Sequence, residues 1–235
     1  MSIFTSLGIL ILITLIMSFL MLIPGIFALF YHYASGKYQP QKIDNLCIFF
    51  VLGVESLATI LFVSINFILR FLSFTETSFE KNILTWIFIG VLLALSIASF
   101  LFYFRKGPGT RLFISRKIAN NLNDKAKSVK SRQDAFLLGF ISGIPELIFT
   151  IPLYIIASVE FAQVSMLNAF CPAIIIIFFL GIIIPLFIVY GLYRTDRNLA
   201  TIQRFRTRNK NFFRFLISLL YLVLAITIIC FRIFV

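Results

Sequence analysis

The distribution of apolar residues divides the chain into six long hydrophobic segments that are separated by shorter, more polar stretches. The approximate bounds of these segments are Ile3–His32, Leu46–Leu69, Ile83–Phe104, Ala135–Ser158, Leu167–Tyr193 and Phe212–Phe231. Each segment provides the roughly 20 residues that a helix needs to cross a hydrocarbon core of about 30 Å. The runs are continuous rather than alternating, and backbone amides inside lipid must bond within their own segment. The pattern therefore predicts an all-α membrane protein with six transmembrane helices.

The composition excludes a soluble fold. Hydrophobic residues make up 60% of the 235 residues and charged residues only 13%, against about a quarter charged in a typical globular domain. The net charge of +12 is confined to particular loops, with nine basic residues between Arg105 and Arg132 and seven between Arg194 and Arg214. Charge placed between apolar segments sets membrane orientation. We therefore expect no nucleic-acid partner.

The basic residues also predict the topology. The first, third and fifth loops carry two, nine and seven Lys or Arg residues, whereas the second loop carries two and the fourth only the acidic Glu160. Because positively charged loops stay in the cytoplasm, both termini should face outward, in what we expect to be a bacterial cytoplasmic membrane. Aromatic residues expected at headgroup depth include Trp86 and Tyr154 at outer helix ends, while Tyr221, in the middle of the sixth segment, is an exception.

The central basic loop divides the chain into a first three-helix half (residues 1–104), the loop itself (105–134) and a second three-helix half (135–235). Two related halves with an odd number of spans must insert in opposite orientations, which predicts a 3+3 inverted repeat. Ile23-Pro24 in span one and Ile144-Pro145 in span four are matching dipeptides. Inverted repeats are a recurrent plan for transporters, with the substrate site near mid-bilayer.

Within the central loop, Ile114, Ile118 and Leu122 recur every four residues among lysines and arginines. This spacing favours a basic amphipathic helix lying on the anionic cytoplasmic leaflet. A disordered basic linker is the alternative.

Acidic and helix-breaking residues from four spans share one depth. Counted from the cytoplasmic ends at about 1.5 Å per residue, Pro24, Glu55, Pro145-Glu146 and Pro185 all lie roughly 12–17 Å deep. A charged acid there costs about 2.5 kcal/mol or more and normally faces the bundle interior. No Lys or Arg lies at this depth to neutralise it. We therefore predict that Glu146, Glu55, Pro145 and Pro24 bind a substrate or a coupling ion.

Structural readings of these residues remain open. Each proline could only kink its helix, and a protonated Glu146 could bond a carbonyl freed by Pro145. Four glycines are expected to permit close helix contact rather than to line a site: Gly53, Gly139, Gly143 and Gly181. Gly139 and Gly143 have the GxxxG spacing of packed membrane helices.

The layout resembles the lysine-exporter-type superfamily of six-helix transporters. The resemblance rests on Pro24-Gly25 in the inner half of span one, on the short Gly36-Lys37 loop, and on Phe136–Phe140 ahead of a proline in span four. It implies a transporter and adds Gly25 to the expected binding residues. Ile26-Phe27 and Pro145-Glu146 depart from the family's usual motifs, which argues against an amino-acid substrate.

The leading functional prediction is therefore a transporter or exporter of a small solute or cation. The alternative is a non-transporting membrane subunit or assembly factor that binds a cytoplasmic partner or anionic lipid through its basic loops. We expect no enzyme, cofactor or metal centre, because the chain has one histidine, His32, and three well-separated cysteines without a CxxC motif. The sequence leaves both a monomer and a homo-oligomer open.

Overall fold

The structure, a computed structural model, describes residues 3–20, 22–73, 78–102, 116–164, 171–194 and 210–232. Within these ranges the regular structure is entirely helical, with no strand. The helices are α1 (Ile3–Phe19), α2 (Leu22–Ser35), α3 (Pro40–Ser73), α4 (Ser78–Phe102), α5 (Arg116–Ser128), α6 (Arg132–Gly143), α7 (Leu147–Val164), α8 (Cys171–Arg194) and α9 (Lys210–Arg232). A 3₁₀ turn, Ile144–Glu146, joins α6 to α7. The predicted all-helical class is confirmed.

Length and composition identify three stretches that could each cross a membrane, Pro40–Leu69, Arg132–Phe161 and Pro172–Leu192. A fourth is obtained if α1 and α2, which are inclined at 42° to each other, are counted as one bent span. The apolar helical stretches Trp86–Leu101 and Phe215–Cys230 are shorter. The described residues therefore support a membrane protein with three to four candidate spans, fewer than the six that the sequence predicts.

The buried side chains form two core layers that follow the interruptions in the helices. The first layer contains residues of α1, α4, α7 and α9, and the second contains residues of α2, α5 and α6. Only α3 and α8 contribute to both layers, because they run uninterrupted past the two breaks. Phe62 of α3 packs on Phe161 and Phe178 in the first layer, and Phe50 stacks on Phe30 in the second.

Helices α3 and α6 pack with their backbones close together. A Cβ atom on Gly53 would lie 2.1 Å from the carbonyl oxygen of Phe136, and one on Gly139 would lie 2.1 Å from the carbonyl oxygen of Phe50. Each helix thus presents a glycine to the backbone of the other, an arrangement that brings membrane helices together without a hydrophobic driving force. The two glycines make α3 and α6 a tightly joined pair.

Helix α5 lies against α2 and α6 at the end of the second core layer. Leu122, Ala126 and Val129 are buried, whereas Ile118 is 45% exposed and Ile114 lies outside the described residues. The hydroxyl of Tyr38 donates a hydrogen bond to the carbonyl of Val129 at 3.1 Å. The apolar face of α5 is therefore buried against protein. Among the described residues the buried stripe begins at Leu122 and extends past the predicted positions to Ala126 and to Val129, which follows the helix.

Candidate functional site

A cavity lies where the two core layers meet, beside the break between α1 and α2 and the 3₁₀ turn between α6 and α7. Its volume is about 50 Å³, which is room for roughly three waters. Among the described lining residues, only Glu146, Thr150 and Tyr154 carry side-chain oxygen atoms. The remaining walls are apolar, so one carboxyl group dominates the chemistry of the cavity.

The 3₁₀ turn places Glu146 in the cavity. Pro145 has no N–H and so leaves the carbonyl of Ile141, four residues earlier, without its α-helical donor. The N–H of Ile144 donates to that carbonyl instead, which tightens the chain into a 3₁₀ turn. Because the 3₁₀ bond already serves the Ile141 carbonyl, Glu146 is not needed there, and its side chain is 7% exposed in the cavity wall.

Glu146 instead holds the start of α2. The N–H of Ile23, in the first turn of α2, donates to Oε1 of Glu146 at 3.2 Å. First-turn N–H groups have no partner within their own helix and carry the positive end of the helix dipole. Pro24 is tolerated one residue later because a missing N–H costs nothing in a first turn. A carboxyl from the second half of the chain thus bonds the broken helix of the first half.

Pro185 reaches the same cavity from α8 and frees a second carbonyl. The acceptor left without a helical donor is Gly181, four residues before the proline. The hydroxyl oxygen of Ser18 in α1 lies 2.7 Å from this carbonyl oxygen and 2.8 Å from that of Thr14, so its single hydrogen is shared between the two acceptors. Inside lipid a freed carbonyl must be satisfied by protein or water, and here α1 supplies the donor.

Replacing Ser18 with alanine should lower the free energy of unfolding by about 1 kcal/mol, a usual value for an interhelical hydrogen bond in a membrane. The loss should shrink in a Pro185→Ala background, because residue 185 then donates its own N–H to Gly181. Unfolding of the purified protein in mixed micelles measures both effects. Ser56→Ala is the control, since Ser56 bonds only the carbonyl of Leu52 in its own helix. Equal losses in both backgrounds would contradict the assignment.

Glu55 lies near the cavity but is not among the residues that line it. It belongs to the stripe of α3 that continues through Phe62 and Asn66 and faces α7. Phe62 packs on Phe161, and the side-chain amide of Asn66 donates to the hydroxyl of Ser158 at 2.9 Å. Oε1 of Glu55 is buried and has no hydrogen-bond partner among the described residues.

Tyr154 lies near both Glu55 and Glu146. It is 4% exposed and lines the cavity. The prediction that Tyr154 sits in the outer aromatic belt is therefore wrong. The signal that would have found it is helical spacing, because Glu146, Thr150 and Tyr154 occupy positions i, i+4 and i+8 on one face.

The other predicted site residues have different positions. Pro145 shapes the 3₁₀ turn, and Gly25 lies half-buried in α2, but neither is among the residues that line the cavity. Pro24 and Pro185 do line it, and Gly143 lines it as well as allowing close packing.

One prediction about a residue outside the site needs correction. Glu160 was expected in an outer loop, but it lies within α7 and is fully buried. The chain therefore has a third buried acid, which the apolar pattern concealed because the helix continues past it. Tyr221, the exception to the aromatic belt, is fully buried and donates to the carbonyl of Phe149 at 3.1 Å. That carbonyl lies in the turn before Pro152.

The described residues contain no group of three or more His, Cys, Asp or Glu side chains that could hold a metal ion. Cys47 is buried in the second core layer and His32 is exposed at the end of α2.

Comparison with known proteins finds no matching family model, no matching characterised protein and no matching solved structure. The resemblance to lysine-exporter-type transporters therefore stays a prediction.

Proposed function

We propose that this protein is a membrane transporter of a small solute or cation, with Glu146 as the central binding group. One observation carries the proposal: two interrupted helices meet at a cavity in the middle of the bundle, and a buried carboxyl joins them there. Interrupted helices whose ends face a central site are a recurring feature of secondary transporters.

Six spans are part of this proposal. Each predicted apolar segment coincides with a helix or a helix pair, and α4 and α9 contain 25 and 23 residues. At about 1.5 Å per residue both exceed a hydrocarbon core of about 30 Å. When their polar ends are counted, α4 and α9 are long enough to cross the membrane. Their apolar stretches alone, Trp86–Leu101 and Phe215–Cys230, are shorter than a full span.

The contacts between helices are consistent with an inverted repeat that relates spans one, two and three to spans four, five and six. Span two packs against the interrupted span four, through α3 with α6 and α7, and span five packs in the corresponding way against span one, through α8 with α1 and α2. Spans three and six pack on each other as α4 and α9. The two breaks, near Pro24 and Pro145, also correspond under this exchange.

The bond between Glu146 and α2 suggests how binding is coupled to movement. An ionised carboxylate at the start of a helix is stabilised by the helix dipole. A proton or cation that binds Glu146 removes or offsets its charge, and the attachment of α2 to the second half weakens. Occupancy of the site then alters how the two halves are held together, which is what alternating access requires.

The distribution of basic residues supports a cytoplasmic location for α5 and outward-facing termini. An epitope tag at either end should then be accessible to antibody on intact cells, and accessibility only after permeabilisation would reverse the orientation.

Transport itself is tested with purified protein in lipid vesicles that carry a pH gradient. Candidate amines, amino acids and alkali cations are added one class at a time, and the internal pH is followed with a trapped dye. We expect at least one class to collapse the gradient faster than in protein-free vesicles. Rates equal to those of empty vesicles for every class would reject the proposal for these substrates in a proton-coupled form.

A second candidate function, binding of anionic lipid through the basic loops, is favoured by one surface. Lys37, Lys125, Lys127, Lys130 and Arg132 are all exposed around α5, and the Lys37 ammonium donates to the carbonyl of Lys127 at 2.9 Å. A cluster of this size attracts an anionic leaflet by about 1 kcal/mol per residue. Co-sedimentation with anionic but not neutral vesicles, in the absence of any solute flux, would favour this function over transport.

A further inference from the structure

The composition of the cavity points to a class of substrate, and this inference rests on the transport function proposed above. We propose that the cavity binds a small organic ammonium ion with an apolar body, and that the Glu146 carboxylate neutralises its charge.

The charge requires a cation. Glu146 is the sole ionisable acid among the described lining residues, and no lysine, arginine or histidine is among them. The start of α2 supplies the equivalent of roughly half a positive charge next to the carboxylate. The site therefore retains a partial negative charge, enough for a monovalent cation and too little for a divalent one.

The oxygen ligands are too few for a metal ion. Ca²⁺ takes six to eight oxygen ligands and Mg²⁺ requires near-octahedral coordination. Beyond Glu146, the described lining side chains offer only the hydroxyl groups of Thr150 and Tyr154. The described side chains alone therefore do not complete the coordination shell of either divalent ion.

The walls suit the body of an organic cation. Alkyl groups on nitrogen spread the positive charge and weaken hydration, so such an ion loses less when it leaves water. Its carbon atoms would pack on Met17 of α1 and on Leu57 and Ala58 of α3. The ring of Tyr154 adds an aromatic surface of the kind that recognises quaternary ammonium groups.

The test measures binding to the purified full-length protein by equilibrium dialysis with radiolabelled methylammonium, whose two non-hydrogen atoms fit a cavity with room for roughly three waters. At pH 7 a primary alkylamine is almost entirely protonated, so its binding reports the ammonium ion. We expect saturable binding that is weakened at least tenfold in Glu146→Gln and is unchanged by a hundredfold excess of Na⁺. Glu160→Gln removes a buried acid from α7, the helix that follows Glu146, at a position that does not line the cavity, and this variant should bind normally.

A second variant covers misfolding of Glu146→Gln. Ala58→Leu fills part of the cavity and leaves the carboxyl in place, so it should also weaken binding at least tenfold. Absence of saturable binding, displacement by Na⁺, or equal binding by wild type and both cavity variants would overturn the inference. If vesicle flux of another solute class still depends on Glu146, transport survives and only the ammonium assignment fails.

Discussion

Replacement of Glu146 by glutamine should lower transport in reconstituted vesicles at least a hundredfold while leaving the protein folded. Glutamine keeps a carbonyl oxygen that can accept the hydrogen bond from the N–H of Ile23, so the start of α2 stays capped. It cannot carry a negative charge or exchange a proton, and these are the properties that the transport function uses. The initial rate of solute flux at matched protein density is the measurement.

Glu160→Gln is the matched control, because it makes the same chemical change in a buried acid about four turns away in α7. It should retain most of the flux. A Glu146→Ala variant separates the two roles of Glu146, since it removes the cap of α2 as well as the charge and should therefore lose stability too, by about 1 kcal/mol. Wild-type flux in Glu146→Gln would assign Glu146 a structural role alone.

The largest effect on stability is expected for Gly53→Ala. The new Cβ atom would lie 2.1 Å from the carbonyl oxygen of Phe136 and 2.9 Å from the backbone nitrogen of Phe140. Neither atom can rotate away, so α3 and α6 must separate along their whole contact. Overpacking of this kind costs about 3 kcal/mol, equivalent to a fall in Tm of roughly 10 °C for a chain of this size.

Gly90→Ala is the control for the intrinsic effect of the substitution. Gly90 lies in α4 with no atom within 4 Å of an added Cβ, so alanine should be neutral or stabilising because of its higher helix propensity. Thermal unfolding in detergent compares the two variants directly. Equal Tm values for Gly53→Ala and Gly90→Ala would mean that the two helices can move apart freely.

The shared depth of the site residues was easier to predict from the sequence than the identity of the residues that line the cavity. Counting residues from the ends of each segment placed Pro24, Glu146 and Pro185 at one depth, and all three do line one cavity. Depth follows from the fixed rise of a helix, which requires no knowledge of packing.

The direction in which a side chain points is harder to predict, because each residue turns the helix by 100° and neighbouring helices decide which face is buried. Glu55 shares the predicted depth but lies on a different stripe of α3, outside the lining. Tyr154 shows the reverse error. Its predicted depth put it at the membrane surface, but its side chain points into the cavity. The partner of Glu146 was also beyond prediction, because a backbone N–H that is left without a helical bond has no signature in the side-chain sequence.

The hydrogen bond between Ile23 and Glu146 joins residues that are 123 positions apart, and it has a consequence for biosynthesis. The ribosome makes α2 long before α7, so the first turn of α2 is already present when the acid is synthesised. A lone carboxylate entering hydrocarbon is disfavoured by about 2.5–3.5 kcal/mol, and the earlier helix offers it a donor on arrival. Were the two halves encoded in the reverse order, the acid would have to wait in lipid for its partner.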